Sequence, residues 1–165
     1  MKIPTGSWRV RIANVDTPRD VLELSQLRFA WRRHERHEGG MAFEQFHPRF
    51  EGWMKDHQET HLGFLGSLEG EAIAMAWLAV VDRVPGPEIF VRRCAYIQSV
   101  YVAPAHRDAG HGAALMEAVL EEARALKLDY LAVHPSPASF SFYRRLGFDE
   151  TTRVLELDLR GSSTT

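Results

Sequence analysis

The chain has 165 residues, of which 45% are hydrophobic and 25% are charged, and its formal net charge is −2. These values are typical of a single globular domain, and they lack the basic surplus that marks nucleic-acid-binding domains, so we expect no nucleic-acid partner. The single cysteine, Cys94, excludes an internal disulfide and fits a reducing compartment, so we expect a cytoplasmic protein.

The first half of the chain predicts a strand, two helices and a β-hairpin, in that order. Apolar residues at alternate positions from Trp8 to Ile12 predict a half-buried strand. Asp16-Thr17-Pro18 supplies a cap and a first-turn proline for a helix that stops before Gly40. The apolar run at 72–81 has about half the length needed to cross a bilayer, so we expect a buried strand and no membrane partner. The predicted bounds are 46–60 for the second helix and 61–68 and 71–81 for the hairpin.

The second half predicts alternating strands and helices. Pro104 ends a strand rich in Tyr, Ile and Val, and Ser136-Pro137 begins a helix that Gly147 ends. The predicted bounds are 94–102 for that strand, 113–127 for a helix with one apolar stripe, 130–134 for a short strand and 152–159 for the last strand. The order β-α-α-β-β-β-α-β-α-β predicts an α/β or α+β fold with a mixed sheet.

Residues 107–113 join a predicted strand to a predicted helix and contain two glycines, Gly110 and Gly112. Free backbone N–H groups and the helix dipole attract an anion at such a position, and glycine lets a phosphate approach the backbone. A Walker A loop is excluded because Ala113 replaces its lysine, and a dinucleotide fingerprint is excluded because Leu115 replaces its third glycine. The residues alone leave open a phosphate-binding loop or a plain glycine-rich helix start.

Three segments together resemble the GNAT superfamily of acyl-CoA N-acyltransferases. They are the strand and turn at 97–104, the loop Arg107-x-x-Gly110-x-Gly112-Ala113, and the segment 142–148 with its Gly-Phe ending. The resemblance covers about a third of the chain. It implies a central mixed, mainly antiparallel sheet flanked by helices, in one domain over residues 1–160 that is followed by a flexible tail at 161–165.

The resemblance also implies an activity, the transfer of an acetyl group from acetyl-CoA to a primary amine of a small molecule or peptide, by direct attack in a ternary complex. The strands at Val102 and Tyr130 splay apart in this fold, and the pantetheine arm of the coenzyme pairs with one of them. Tyr143 matches the general acid that protonates the leaving thiolate. The residues implied to bind acetyl-CoA are Val100, Tyr101, Val102, Arg107, Asp108, Ala109, Gly110, His111, Gly112, Ala113 and Ser136.

Three positions depart from the family pattern. Many members have a glutamate where Gln98 stands, and an amide cannot serve as the general base. Asp108 puts a negative charge beside the implied pyrophosphate, where glycine is commoner, and Ser136 stands where many members have asparagine. The base therefore stays unassigned among residues that border the acceptor site in similar proteins, namely His34, Glu35, His37, Glu38 and Glu44.

Two other interpretations stay open. Gln98 also suits a non-catalytic acyl-CoA-binding sensor module, and the loop alone suits an unrelated phosphate-ligand binder. We expect no metal, because Glu38 stands where the zinc motif H-E-x-x-H has its second histidine, and we expect His57 and His61 to be isolated structural or surface groups. Aromatic residues between 31 and 53 either line an acceptor pocket or form a helical core stripe. A homodimer is compatible with the resemblance.

Overall fold

The computed structural model describes residues 6–34, 39–151 and Leu157. The chain divides into two compact units, Met1–His134 and Pro135–Thr165. The first unit contains β1 Trp8–Ile12, α1 Pro18–His34, α2 Phe43–Asp56, β2 His61–Leu68, β3 Glu71–Asp82, β4 Arg93–Val102, a 3₁₀ turn Pro104–His106, α3 His111–Ala125 and β5 Leu131–Val133. The second contains a 3₁₀ turn Pro137–Ser139 and α4 Phe140–Arg145.

The five strands form one sheet in the order β1-β2-β3-β4-β5. Neighbouring strands are antiparallel, except that β5 runs parallel to β4. The mixed, mainly antiparallel sheet with flanking helices is therefore confirmed. The pairing of β4 with β5 covers only Ala95–Ile97 against Leu131–Val133. Since β4 continues to Val102, its second half extends past β5 and stays paired only with β3.

Strand β4 is irregular where it leaves β5. Trp77 of β3 lies opposite Gln98, whereas Met75 lies opposite Tyr101, so β4 contains one extra residue between these pairs. Ser99 lies at this bulge with a φ of 54°, in the left-handed region that few residues other than glycine adopt. A bulge of this kind bends a strand and changes the direction of its side chains.

Both faces of the sheet are covered. Residues 73–79 of β3 are all buried, which is the pattern of a strand with helices on both sides. Helices α1 and α3 both contact β3. The helix α3 buries residues of the predicted apolar stripe, namely Leu115, Met116, Val119 and Ala123. Helices α1 and α2 bury a cluster against the sheet that includes Val21, Leu24, Leu27 and Met54.

Most predicted bounds agree with the structure to within two or three residues, and the differences are local. Helix α3 begins at His111 rather than at 113, so Gly112 belongs to its first turn. Ser136-Pro137 starts a 3₁₀ turn before the α-helix, while Gly147 follows α4 in a left-handed conformation, as predicted. The final strand predicted at 152–159 lies outside the described residues, apart from Leu157. No described helix combines the length and the apolar composition that crossing a bilayer requires. The expectation of one domain over residues 1–160 stays a prediction.

Candidate functional site

After β4 and the 3₁₀ turn Pro104–His106, residues 107–110 form a turn that leads directly into α3. Gly110 precedes the helix with a φ of 89°, and the N–H of Ala114 donates to the Gly110 carbonyl at 3.1 Å. The N–H groups of His111, Gly112 and Ala113 come before that first intrahelical bond and have no acceptor within the helix. Three amides at the positive end of a 15-residue helix form a site for an anionic group such as a phosphate.

Asp108 adopts a left-handed conformation in this turn, with a φ of 60°. Glycine favours that region, which explains why glycine suits the position, and aspartate is one of the few other residues that tolerate it. The backbone of the loop thus keeps the shape that a glycine would give it. The carboxylate adds a negative charge to a segment that is otherwise built to attract anions.

The guanidinium of Arg107 binds the strand that it follows. Its Nε donates to the Val102 carbonyl at 3.0 Å, and its Cζ lies 5.8 Å from the centre of the Tyr101 ring. Burial raises the pKa of Tyr101, and the Arg107 charge partly opposes this effect. If pantetheine pairs with the Val102 carbonyl, Arg107 must share that carbonyl or release it. The pairing of pantetheine with Val102 stays a prediction.

His111 is buried at the start of α3 and contacts two other rings. Its imidazole lies 4.6 Å from the Trp8 ring and 6.3 Å from that of His106, between ring centres. Burial lowers the pKa of His111 below 6.5, and the charge of His106 acts in the same direction. Within the described part of the chain, its Nδ1 atom is buried without a hydrogen-bond partner. The sequence did not indicate a role for Trp8 beside the loop.

A cavity of about 250 Å³ lies at the β4 bulge. Its lining combines aromatic rings with polar groups and comes from α1, α2, β3 and β4; the residues are Arg28, Phe50, Trp53, Trp77, Gln98 and Ser99. The interpretation of Phe50 and Trp53 as acceptor-pocket residues is compatible with this position. A larger open groove of about 560 Å³ lies between α1 and the β2–β3 turn, and it shares no lining residue with β4 or with the loop at 107–113.

The prediction that His57 and His61 are isolated is wrong. Their rings lie 5.5 Å apart, and each contacts the ring of Trp53, at 4.7 and 5.0 Å. The loop between α2 and β2 is short, which brings both histidines to the same end of the sheet. Burial, followed by the charge of His57, lowers the pKa of His61. Among the described residues, no group of three or more His, Cys, Asp or Glu side chains is placed to hold a metal ion.

The candidates for the general base are only partly described. Glu44 lies in the first turn of α2 and is exposed. The side chain of His34 and the whole of residues 35–38 lie outside the described residues. Gln98 lines the cavity at the bulge, where an amide can hydrogen-bond to an amine but cannot take its proton.

The second unit contains Tyr143 and Ser136. Tyr143 is only 7% exposed, and its ring makes edge contacts with Phe142 at 5.2 Å and Phe148 at 5.6 Å. Burial raises the pKa of Tyr143, so the phenol keeps its proton throughout the neutral range. The Ser136 hydroxyl lies 3.0 Å from that of Ser139. Their roles toward acetyl-CoA stay predictions.

Solved structures of several acetyltransferases share the fold of this chain. Solved structures of similar fold include a predicted acetyltransferase with acetyl-CoA from Clostridium acetobutylicum, which is 20% identical and covers 92% of this chain and 96% of that one with a TM-score of 0.74. A GCN5-related N-acetyltransferase from Ralstonia eutropha JMP134 is 23% identical over 92% and 99% of the two chains, with a TM-score of 0.68. Glucosamine-6-phosphate N-acetyltransferase from Arabidopsis thaliana is 14% identical over 93% and 99%, with a TM-score of 0.68. These likenesses establish the fold.

Sequence comparison identifies the family. No curated protein matches the chain significantly in sequence. The family model for the acetyltransferase (GNAT) family matches residues 21–148, which include β4, the loop, α3 and α4. That range is well over half of the chain, and it contains all three segments on which the resemblance was based. The chain therefore belongs to the GNAT acetyltransferase family.

Proposed function

We propose that this protein transfers an acetyl group from acetyl-CoA to a primary amine of a small molecule or peptide. The observation that carries the proposal is the N-terminus of α3, whose first amides have no acceptor within the helix, together with a preceding β4 segment whose outer edge extends past β5. The loop supplies donors for a pyrophosphate, and the strand edge supplies donors and acceptors for an amide-containing arm. Acetyl-CoA has both of these groups in one molecule.

The chain's own groups divide the binding between them. The amides of His111, Gly112 and Ala113 hold the pyrophosphate, and Arg107 adds a positive charge beside them. The edge of β4 from Gln98 to Val102 pairs with the pantetheine amides in the way that a further strand would. This places the thioester near the β4 bulge, where the cavity opens.

The reaction is an acyl transfer by direct attack. The neutral amine nitrogen attacks the thioester carbonyl carbon, so a C–N bond forms and negative charge builds on the oxygen, where a backbone N–H near Val102 stabilises it. The C–S bond then breaks, and the sulfur leaves with its electron pair. Tyr143 donates its proton to that sulfur, and the amine loses its surplus proton to a base or to water.

The amide of Gln98 cannot accept the proton that the amine loses. An amine that arrives neutral, or a water chain to the solvent, would serve without a carboxylate at this position. Gln98 also favours a second candidate, a non-catalytic sensor that binds acyl-CoA without transferring the acyl group. The two candidates share the coenzyme site and differ only in turnover.

Calorimetric titration and a thiol-release assay test the proposal. We expect acetyl-CoA to bind, ATP and NAD to bind much more weakly, and an amine panel to release CoA thiol in proportion to the amine consumed. Binding without amine-dependent thiol release would support the sensor instead. No affinity for acetyl-CoA would contradict both candidates.

A further inference from the structure

We propose that His61 takes the proton that the acceptor amine loses, through about one or two bridging waters, and so fills the role that the Gln98 amide cannot. This inference rests on the proposed function, because it assigns one further residue to the same reaction. His61 is the first residue of β2 and follows the short loop after α2. It lies outside the three segments that carry the family resemblance.

His61 lies on the same face of the sheet as the cavity at the bulge. Gly63, two residues further along β2, lies opposite Trp77, and Trp77 lies opposite Gln98. Residues two apart on a strand share a face, and so do directly opposed residues. The face that His61 shares with Trp77 and Gln98 is the one that packs against α1 and α2.

The ring of Trp53 connects His61 to the cavity. It lines the cavity and lies 5.0 Å from the imidazole of His61, measured between ring centres. His61 lies opposite Ala79, and Ala79 lies opposite Tyr96, so two strand spacings, about 10 Å in total, separate His61 from β4. The imidazole and the acceptor amine both extend into that space, which leaves a gap that about one or two waters can bridge.

Hydrogen bonds orient both imidazole rings of the His57–His61 pair. His57 Nδ1 donates to the Trp53 carbonyl at 2.8 Å, so its Nε2 has a lone pair when the ring is neutral. The Thr60 hydroxyl donates to the His57 carbonyl at 3.2 Å, which leaves its oxygen to accept from His61 Nδ1 at 2.9 Å. His61 therefore also presents a basic Nε2, and a proton added there keeps the bond to Thr60.

The surroundings of His61 keep its ring neutral at neutral pH. Burial is the larger cause of a pKa below 6.5, and the charge of His57 lowers the pKa further. Other titratable groups on the surrounding elements are Arg28 of α1 in the cavity lining, Tyr96 of β4 in the same row, and Glu59, which is exposed in the preceding loop. A base whose pKa lies below the working pH is mostly in its accepting form.

The proton moves after the C–N bond has formed. The amine nitrogen carries a positive charge after its attack, and it gives its surplus proton to a water, which passes a proton to His61 Nε2. The C–S bond breaks, and the sulfur takes its electron pair and then the proton of Tyr143. The imidazolium of His61 finally releases its proton to the solvent, and Tyr143 regains one, which restores both groups.

The pH dependence of kcat/KM tests this assignment. The substrate is the fastest acceptor among glycinamide, benzylamine and a lysine-containing peptide, whose amines all have a higher pKa than His61. Log kcat/KM should rise with pH at a slope of about one where only the amine must lose a proton, and about two where His61 must lose one as well. We expect the wild-type slope to change from about two to about one at a midpoint below pH 6.5.

Two variants of His61 separate proton transfer from packing. His61→Gln keeps a polar side chain, and His61→Phe keeps a ring against Trp53, so a purely structural contribution would be retained in one of them. Both should lower kcat by about 10²-fold, the lower end of the contribution of a general base, and both should show a slope of about one over the whole range. The Kd for acetyl-CoA should change little.

The neighbours of His61 supply a further variant and a control. His57→Gln should move the midpoint of the wild-type profile to higher pH, because the charge of His57 lowers the pKa of His61. Glu59→Gln is the matched control, because it removes an exposed group two residues from His61 and should leave both the slopes and kcat unchanged.

The outcomes separate this inference from the proposed function. An unchanged kcat in His61→Gln, recovery of kcat in His61→Phe, or a single slope in the wild type would overturn the inference and leave the acetyltransferase proposal standing. If the His61 variants do not fold, the His57→Gln profile decides, and an unmoved midpoint overturns the inference. If the wild type binds acetyl-CoA but acetylates none of the amines, the proposed function fails, and the inference fails with it.

Discussion

The indole ring of Trp8 lies against the imidazole of His111, with 4.6 Å between the ring centres and 39° between the planes. Trp8 is the first residue of the edge strand β1, and His111 is the first residue of α3. The contact therefore supports the N-terminal end of α3, the proposed phosphate site, from the far edge of the sheet. Gly66 of β2 makes room for it, because a Cβ there would overlap the Trp8 ring and lie 3.1 Å from Ala74 Cβ.

Gly66→Ala should destabilise the protein by about 1–3 kcal/mol, the usual effect of overpacking, and should weaken acetyl-CoA binding by displacing Trp8 from His111. Chemical denaturation and calorimetry would measure the two effects. Gly52→Ala is the matched control, because no atom lies within 4 Å of a Cβ at that helical position, and it should slightly stabilise the protein. Unchanged coenzyme affinity in a folded Gly66→Ala variant would refute the supporting role of Trp8.

His111→Gln should reduce the loss of stability in mild acid. Burial lowers the pKa of His111 below the ordinary 6.5, so the unfolded chain binds a proton on this residue more readily than the folded chain does. The contribution of the neutral His111 to the stability of the folded protein is complete above pH 6.5. It is lost as the pH falls toward the lower pKa that His111 has in the folded state. Denaturant unfolding at several pH values between about 5 and 7.5 would show a shallower decline in the variant; equal slopes would contradict the prediction.

Asp108→Asn should tighten acetyl-CoA binding by about twofold to fivefold at low salt, since exposed charges typically contribute up to about 1 kcal/mol. Asparagine tolerates the same left-handed backbone, so the substitution tests the charge alone. The gain should shrink as salt screens the interaction. Glu117→Gln removes one exposed charge farther along α3 and should leave the affinity unchanged. A weaker affinity in Asp108→Asn would show that the carboxylate helps binding.

Tyr143→Phe should lower kcat by about 10²-fold, the lower end of the contribution of a general acid, while the Kd for acetyl-CoA changes little. The ring contacts with Phe142 and Phe148 remain, so the variant loses the hydroxyl and keeps the packing. Tyr130→Phe is the control, because that ring is 46% exposed and contacts the guanidinium of Arg83. An unchanged kcat in Tyr143→Phe would remove the acid role.

The sequence predicted those features whose signal is local. Gly70 in the hairpin turn and Gly147 after α4 both have a positive φ, and the apolar stripe of α3 is buried, because turns and helix faces depend on neighbouring residues. The predicted start of α3 is two residues late, since first-turn residues need not follow the apolar period. The sequence did not reveal the contact of Trp8 with His111 or the cavity that joins Arg28 to Trp77, because packing between distant elements creates both.

Under the proposed function, the short ladder between β4 and β5 couples the stability of the protein to its cosubstrate. Beyond Ile97, no described strand pairs with the outer edge of β4, so under the proposed function acetyl-CoA would take the place of the missing strand. Binding to the folded state alone stabilises it by about 2.7 kcal/mol at a ligand concentration 100 times the Kd. Abundance of the folded protein in a cell would then follow the acetyl-CoA supply, and amide hydrogen exchange along residues 98–102 would slow as that supply rises.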